Sequence, residues 1–316
     1  DALAAWADLR ETDPQVAAVD PAACTLHVTL EPCDHTGRTG PCTGAVLATG
    51  IGRLVYAVAD PTGISGGGAQ TLQVAGVDVA GPTEHPGAFD LTDRWRRARA
   101  EGRPFVTAHL AQSLDGCAAA ADGTSRWITS AQSRAHAHAV RSRVDAIVVG
   151  TGTVIADDPR LTARHDDGSS ASAQPVPVVM GYREIPTGAA LRGHPALVPG
   201  EEPLHVRSHD PAEVLTAIAD RPGPWPHGGR GCEHLLIEGG PTVLGAWIAA
   251  GLVDELHVYT APILLGAGLP AVAGPAVETL AHAVRWTPDP AEGGPVRPLG
   301  PDTWTHLRPA VAAGKE

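Results

Sequence analysis

The sequence predicts an α/β protein of two domains. Helical and strand patterns alternate along most of its 316 residues, and strands separated by helices are typical of parallel βαβ units with helices covering the sheet. The length is about twice that of an average domain. A polar stretch, residues 83–103, separates α/β segments at residues 1–82 and 104–310. We therefore expect a three-layer α/β domain, a connecting segment and a second α/β domain.

The first segment alternates predicted helices with predicted strands. Leu3, Trp6 and Leu9 recur at the spacing of one helix face, and Gly50 stands where a helix C-terminus is expected. The Arg-rich stretch Arg94–Arg97 favours a solvated connecting helix over a phosphate-binding role. Helices are predicted at Ala2–Leu9, Pro41–Thr49 and Ala69–Ala75, and strands at Thr25–Leu30, Arg53–Ala59 and Val77–Ala80.

The second segment continues this alternation over a longer stretch. Ser130 fits the N-cap position of a helix. The low-complexity stretches 166–173 and 221–231, rich in Gly, Ser or Pro, are predicted to be loops. Helices are predicted at Ser130–Arg143, Pro211–Asp220 and Thr242–Ala250, and strands at Phe105–Gln112, Ala146–Gly150, Pro175–Met180, Leu204–Val206, His234–Glu238, Glu255–Thr260, Val284–Thr287 and Thr303–Leu307.

The composition excludes several classes of function. With 35 acidic and 23 basic residues the net charge is −12, which argues against a broad nucleic-acid or anionic-membrane surface. No apolar run has the length of a membrane span. Lys315 is the only lysine, so the body of the chain offers no amine catalyst and arginines must bind any phosphate. Five scattered cysteines and no secretory signal indicate a reducing cytoplasm.

Two cysteines form the strongest local motif of the first segment. Cys33 follows a predicted strand, and Cys42 follows Pro41 at a predicted helix start, where backbone amides favour the thiolate. A zinc ion held by two thiolates and one imidazole keeps its fourth coordination position for water, as in catalytic zinc sites. The alternative is two ordinary buried cysteines. Zinc-dependent nucleobase deaminases also place Pro-Cys motifs between a strand and a helix, which favours the metal.

The sequence around these cysteines resembles a known family. Residues 25–42 and the turn at 60–68 are similar to the deaminase half of the bifunctional riboflavin-biosynthesis deaminase/reductases. The resemblance implies a cytidine-deaminase-like domain with Cys33 and Cys42 as zinc ligands. In the family, a His-Ala-Glu motif before the first strand supplies the third ligand and the proton shuttle. This chain lacks that motif, so we expect an N-terminally truncated domain that does not deaminate, and a full-length parent that does.

A second resemblance covers nearly all of the remaining chain. Blocks at residues 103–116, 122–130, 150–164, 236–245 and 261–266 follow the order found in the reductase half of the same family. This implies a dihydrofolate-reductase-like α/β domain, NADPH as cofactor and a homo-oligomer formed through the reductase domain. The implied reaction reduces the ribosyl chain of 5-amino-6-(5-phosphoribosylamino)uracil, a pyrimidine ribosyl phosphate, to ribityl.

The resemblance also implies individual site residues. Gly239 and Gly240 lie between a buried strand and a helix, where a phosphate can approach the helix N-terminus. Taken alone, this pair indicates a tight turn, Arg141 a solvated charge and Trp127 a core ring. By resemblance, the site residues are Ala111, Trp127, Thr153, Asp157, Gly240, Pro241 and Thr242 for NADP; Ser125, Arg141, Leu161, Arg164 and Glu238 for the substrate; and Asp157, Glu238 and His109 for catalysis.

One position departs from the family pattern. A lysine usually stands two residues before the alanine of Ala-x-Ser-Leu-Asp-Gly, where this chain has His109. Histidine can donate a proton near neutral pH but is shorter, so we expect altered reductase efficiency or cofactor preference. Two alternatives are a reductase of the same fold for another pyrimidine or pterin-like substrate, and a non-catalytic zinc- or NADP-binding module. The acidic balance and the lack of a basic, aromatic groove disfavour nucleic-acid editing.

Overall fold

The chain divides into two compact units, Asp1–Gly102 and Arg103–Glu316. Both are α/β, as predicted. None of the described helices is long and apolar enough to cross a membrane. The structure is a computed structural model that describes residues 2–37, 40–63, 65–221, 225, 231–274 and 277–310.

The first unit is built on a three-stranded parallel sheet. Its strands are β1 (Thr25–Leu30), β2 (Arg53–Val58) and β3 (Asp78–Ala80), and its α-helices are α1 (Ala2–Thr12), α2 (Pro14–Ala17), α3 (Cys42–Thr49), α4 (Gly68–Val74) and α5 (Pro86–Glu101). The strand order is β1-β2-β3. As predicted, Gly50 ends α3 in the left-handed conformation, with φ of 71°.

Successive residues of β2 face two hydrophobic layers, because side chains alternate along a strand. Tyr56 packs with Leu72 of α4 on one face of the sheet, and Ala57 packs with Ala88 of α5 on the other. The predicted helix is confirmed as α5, but the expectation that it is solvated is wrong, because α5 covers the sheet and buries Ala88 and Ala98. The apolar residues of α5 decide its position, and its arginines stay near the surface.

The second unit contains eleven strands and four α-helices among its described residues. The strands are β4 (Phe105–Ser113), β5 (Cys117–Ala119), β6 (Ala146–Gly150), β7 (Val176–Met180), β8 (Leu204–Val206), β9 (His234–Ile237), β10 (Glu255–Ala261), β11 (Leu269–Pro270), β12 (Trp286–Pro288), β13 (Val296–Leu299) and β14 (Asp302–Pro309), and the helices are α6 (Ala131–Arg141), α7 (Thr151–Asp157), α8 (Pro211–Asp220) and α9 (Pro241–Ala249). The short elements β5, α7, β11 and β13 were not among the predictions.

Nine of these strands form one mixed sheet in the order β12-β14-β10-β4-β9-β6-β7-β8, with β13 paired to β14. The strands from β10 to β8 are parallel, whereas β14 runs antiparallel to β10. Parallel strands end at the same edge of a sheet, so the carboxyl ends of β4, β6, β9 and β10 lie together. Open α/β sheets bind their ligands at this edge.

Strands β6 and β7 are buried on both faces, which explains their continuous apolar sequences. Val148 of β6 belongs to one core cluster together with Trp247 of α9. Val149 and Leu236 belong to a second cluster on the opposite face. The two cores hold the central strands rigidly, and the site residues are attached to the ends of these strands.

Candidate active site

A cleft of about 660 Å³ opens at the carboxyl edge of the large sheet. Thr242, predicted to contact NADP, is exposed and lies outside the lining, so the structure does not place it with the other site residues. The cleft brings together the other predicted reductase residues, namely His109, Ala111, Ser125, Trp127, Arg141, Thr153, Asp157, Leu161, Arg164, Glu238, Gly240 and Pro241.

Glu238, directly after β9, is the charged centre of this cleft. Its backbone N–H donates to the carbonyl of Val148 at 3.0 Å, which fixes it to the neighbouring strand. Arg141 Nε donates to Glu238 Oε1 at 2.9 Å, and Arg141 Nη2 donates to Oε2. His109 Nδ1 lies 3.2 Å from Oε1. One carboxylate therefore holds both a guanidinium fork and an imidazole.

The protonation states of Glu238 and Arg141 follow from their burial and from the charge that each places beside the other. Burial raises the pKa of Glu238, but the charge of Arg141 and hydrogen bonds from His109 and Arg141 outweigh it, so the pKa lies well below its usual range. Burial lowers the pKa of Arg141, but the charge of Glu238 and the hydrogen bonds to it together outweigh burial, so the pKa lies above its usual value. Both groups are therefore ionised at neutral pH, and the arginine does not have the solvated position that its residue type alone indicates.

The same arginine organises the wall opposite Glu238. Arg141 Nη1 donates to the Thr162 carbonyl at 3.2 Å, and the Nδ1 of His138 lies 3.0 Å from that oxygen. Burial and the Arg141 charge lower the pKa of His138, so its neutral form is favoured near pH 7. His138 lines the cleft and was missed from the sequence. Its spacing of three residues from Arg141 on one helix was the available signal.

Trp127 lies at the mouth of the cleft, not in the core. Its side chain is 68% exposed, and the guanidinium of Arg134 lies 4.4 Å from its ring centroid. Arg126 Nη2 donates to the backbone carbonyl of Asp157, the last residue of α7. An indole face flanked by two guanidinium groups is a surface on which an anionic or aromatic ligand can be bound.

The loop after α7 has an unusual backbone. Asp158 and Leu161 adopt positive φ angles of 42° and 57°. For residues other than glycine this conformation costs about 1–3 kcal/mol, and it clusters at functional sites. Leu161 is buried, and Arg164 Nε donates to Thr162 Oγ1 at 3.1 Å. The loop presents Arg160 and Arg164 both to the cleft and to a second cavity of about 530 Å³.

A side chain at either glycine of the pair would crowd a neighbouring residue. A Cβ on Gly239 would stand 2.5 Å from Cβ of Val243, and a Cβ on Gly240 would stand 3.4 Å from Thr153 Oγ1. Gly240 is the N-cap of the nine-residue helix α9. The unpaired amides and positive end of such a helix attract anions, so these residues fit the phosphates of a dinucleotide.

In the first unit, Cys33 and Cys42 lie next to each other. Their Sγ atoms are 3.1 Å apart, and the Cys42 N–H donates to Cys33 Sγ at 3.3 Å. The carboxylate of Asp34 accepts hydrogen bonds from Thr43 and Thr71 at 2.7 and 2.6 Å, which fixes the loop. Burial and the neighbouring thiol raise the pKa of Cys42, so the expected bias of the helix start toward thiolate does not dominate.

A zinc site needs more ligands than this pair. In the described part of the chain, one group of three His, Cys, Asp or Glu side chains is close enough to hold a metal, and it consists of Glu255, His257 and His306. Neither cysteine belongs to it. The described residues thus supply two of the zinc ligands that the resemblance implies, without a complete site.

The fold and the cleft define an α/β protein with a small-molecule site at the carboxyl edge of a mixed sheet. Comparison with known proteins shows to which family within this class the chain belongs. The model of the RibD C-terminal domain family matches residues 104–291. Riboflavin biosynthesis protein RibD of Mycobacterium tuberculosis (strain ATCC 25618 / H37Rv) is 43% identical over 287 residues, covering 90% of this chain and 78% of that protein.

Other relatives agree across most of the chain. RibD of Escherichia coli (strain K12) is 32% identical over 318 residues, covering 90% of this chain and 81% of that protein. The structure of Acinetobacter baumannii RibD, form 1, matches with a TM-score of 0.76 at 30% identity, covering 89% and 80% of the two chains. The chain therefore belongs to the RibD family of riboflavin biosynthesis proteins, which confirms the resemblance seen in the sequence.

A further solved structure carries a more specific description. It is a diaminohydroxyphosphoribosylaminopyrimidine deaminase/5-amino-6-(5-phosphoribosylamino)uracil reductase from Thermotoga maritima. It matches with a TM-score of 0.74 at 25% identity, covering 90% of this chain and 79% of that chain. The fold of the present chain is thus the fold of this protein over most of its length.

Proposed function

We propose that the second unit is a dihydrofolate-reductase-like domain that reduces the ribosyl chain of 5-amino-6-(5-phosphoribosylamino)uracil to ribityl with NADPH. The supporting observation is the cleft itself, which combines the Glu238–Arg141–His109 group with an anion-receptive helix start and a loop bearing two arginines. Membership of the RibD family supports the same reaction.

Several cleft residues suit NADPH, which when bound supplies the hydride. Gly240 and Thr153 would face its phosphates, because a Cβ at Gly240 would occupy the space beside the Thr153 hydroxyl. Trp127 offers a flat exposed face at the mouth. Asp157 and Ala111 line the same cleft. The roles of these residues in cofactor binding are part of the proposal.

The substrate would be held on the opposite side. Arg164 supplies a guanidinium for the ribose phosphate, and Ser125 and Leu161 line the same cleft. Arg141 is already engaged by Glu238 through Nε and Nη2. Its contribution to substrate binding is therefore chiefly to keep Glu238 ionised and in place.

His109 is the candidate proton donor. Reduction adds a hydride to C1′ of the opened ribosylamine imine and a proton to its nitrogen, so one acid is needed. The ionised carboxylate of Glu238 can accept a hydrogen bond but cannot donate one. In the 3.2 Å contact between His109 Nδ1 and Glu238 Oε1, the hydrogen must therefore be on Nδ1. Its Nε2 has no hydrogen-bond partner among the described residues. Protonated His109 can therefore release the Nε2 proton while Glu238 keeps its orientation.

An assay of NADPH oxidation tests this reaction. The purified chain is mixed with NADPH and 5-amino-6-(5-phosphoribosylamino)uracil, and the product is identified by its mass increase of two hydrogens. We expect stoichiometric NADPH consumption and the ribityl product. Consumption with a pterin or another pyrimidine, and none with this substrate, would overturn the assignment.

We also propose that the first unit is cytidine-deaminase-like and that Cys33 and Cys42 are zinc ligands there. The adjacent thiols support this. The resemblance supports a homo-oligomer formed through the reductase domain, and the five scattered cysteines support a cytoplasmic location. Because the described residues do not complete the zinc site, we expect no deamination by this chain. A zinc titration combined with a deaminase assay tests both points, and turnover would contradict the expectation.

A further inference from the structure

Three neighbouring strands of the second unit bring histidines into one row across the sheet. His257 of β10 pairs with His109 of β4 on one side and with His306 of β14 on the other. Glu255 is two residues before His257 and therefore shares its face. The side chains of Glu255, His257 and His306 are completely buried. The sheet register thus places two imidazoles and a carboxylate together in the interior.

The potential ligand atoms of these residues converge. His257 Nε2 lies 3.4 Å from Glu255 Oε1, and His306 Nε2 contacts the same oxygen. One such atom from each of the three residues lies within 4.8 Å of the others. Ligands of a tetrahedral zinc are about 3.4 Å apart when the metal–ligand bonds are about 2.1 Å. The cluster is therefore compact enough for one ion.

The imidazoles have unsatisfied nitrogen atoms. Nδ1 and Nε2 of His257 and Nδ1 of His306 are buried and have no hydrogen-bond partner in the described part of the chain. A buried polar group that is left unpaired destabilises the folded chain. A metal ion would take the lone pair of one nitrogen on each ring, since neutral imidazole is a common metal ligand. Apart from the 3.4 Å approach of its Nε2 to Glu255, His257 has no polar contact that satisfies its ring nitrogens, which suits it as a metal ligand.

The charges around the cluster also favour a cation. Thr107 Oγ1 donates to Glu255 Oε2 at 2.7 Å, leaving Oε1 for the imidazoles. Asp289 Oδ2 lies 3.8 Å from His306 Nε2 and accepts a hydrogen bond from Arg308 Nε. A divalent cation between the imidazoles would add positive charge beside these two carboxylates, which is the favourable sign of interaction.

We propose that Glu255, His257 and His306 form a zinc site that joins β10 to β14. Two imidazole nitrogens and one carboxylate oxygen suit Zn²⁺, unlike the all-oxygen sites of Mg²⁺ and Ca²⁺. The site is distinct from the cysteine pair and does not depend on the proposed reductase function. Bound zinc would hold the C-terminal strand on the sheet next to His109, whose ring stacks on His257 with centroids 5.2 Å apart.

Cobalt substitution tests this proposal. The full chain carrying Cys33→Ser and Cys42→Ser is refolded with Co²⁺ and dialysed, and the retained metal is measured by mass spectrometry and visible absorption. We expect retained cobalt with d–d bands and without a sulfur-to-cobalt absorption. His257→Gln and His306→Gln should each weaken cobalt binding at least about tenfold. His136→Gln is the matched control, because its ring lies 6.0 Å from that of His257 but outside the ligand group.

A second measurement covers the case in which a histidine variant does not fold. Chelator added to the metal-loaded Cys33→Ser/Cys42→Ser protein should lower its melting temperature, and Zn²⁺ should restore it, because a ligand of the native state stabilises by mass action. Failure to retain cobalt, a melting temperature unaffected by chelator, or equal binding by folded histidine variants would each overturn the proposal.

Discussion

Sequence motifs mark both the cleft of the second unit and the cysteine loop of the first, but the structure completes the two sites to different degrees. In the cleft, Arg141 and His109 both contact the Glu238 carboxylate, and the surrounding loops supply further arginine side chains. In the loop, Cys33 and Cys42 contact each other, and no third metal ligand joins them among the described residues. A motif therefore locates a site, whereas the partners of its residues decide what chemistry it can perform.

The largest effect should come from breaking the ion pair of the cleft. Arg141→Met leaves Glu238 buried without its cation, which costs about 3–5 kcal/mol of unfolding free energy. The pKa of Glu238 should rise, since burial then dominates. Urea unfolding measures the loss.

A paired variant separates charge from packing in that experiment. Arg141→Met combined with Glu238→Leu removes both charges and should recover most of the stability, without recovering NADPH oxidation. If Arg141→Met alone unfolds at the same urea concentration as the parent chain, the ion pair does not organise the cleft as described here.

Acid should weaken the second unit through His194. This buried side chain lines the cavity beside Arg160 and Arg164. Burial lowers its pKa from 6.5 to about 4, and the Arg141 charge adds to this. The unfolded chain therefore binds more protons between these pH values, and His194 reduces the unfolding free energy by up to about 3 kcal/mol as pH falls from 7 to 4.

Chemical unfolding at several pH values measures the effect. His194→Asn should flatten the decline between pH 6.5 and 4, whereas substitution of the exposed His282 by asparagine should not. An unchanged slope in His194→Asn would assign the acid sensitivity to other groups.

Substitution of Gly240 should have an intermediate effect, which we expect in the binding of NADPH. Gly240→Ala places a methyl group 3.4 Å from Thr153 Oγ1, in the space proposed for a phosphate. The KM for NADPH should rise about tenfold, equivalent to roughly 1.4 kcal/mol, with a smaller change in kcat. Gly188→Ala is the control, because a Cβ there meets nothing within 4 Å. Equal KM values for the two variants would remove Gly240 from the cofactor site.

The smallest effect is expected at His109. His109→Lys restores the residue usual in the family, and an ammonium can also bond Glu238, so kcat/KM for the aminouracil should be preserved or raised. A large loss would show that the imidazole has a role of its own, consistent with its contacts to Glu238 and the His257 ring.

The sequence predicted most regular elements because their patterns are local. Strand β1 (Thr25–Leu30) and helix α8 (Pro211–Asp220) have the predicted bounds. Short elements such as β5 and α7 were missed because two or three residues of alternation, or two helical turns without a strong apolar face, give little signal. Helix α5 was misjudged because its arginines outweigh the few apolar residues that it buries.

The site was predicted as a set of residues but not as a network. Family motifs named Arg141, Glu238 and His109, yet their mutual bonds join positions about 100 residues or more apart along the chain. The row formed by His109, His257 and His306 depends on the order β4-β10-β14. Sequence spacing does not reveal which distant strands become neighbours, so this cluster was not predicted.

A crystal structure with NADP⁺ and the aminouracil substrate would test the central claim most directly, namely that hydride transfer occurs in the cleft beside Glu238. The account predicts that the nicotinamide C4 lies about 3.5 Å from the ribosyl C1′, with the cofactor phosphates at Gly240 and His109 next to the substrate. Density for either ligand outside this cleft would contradict it.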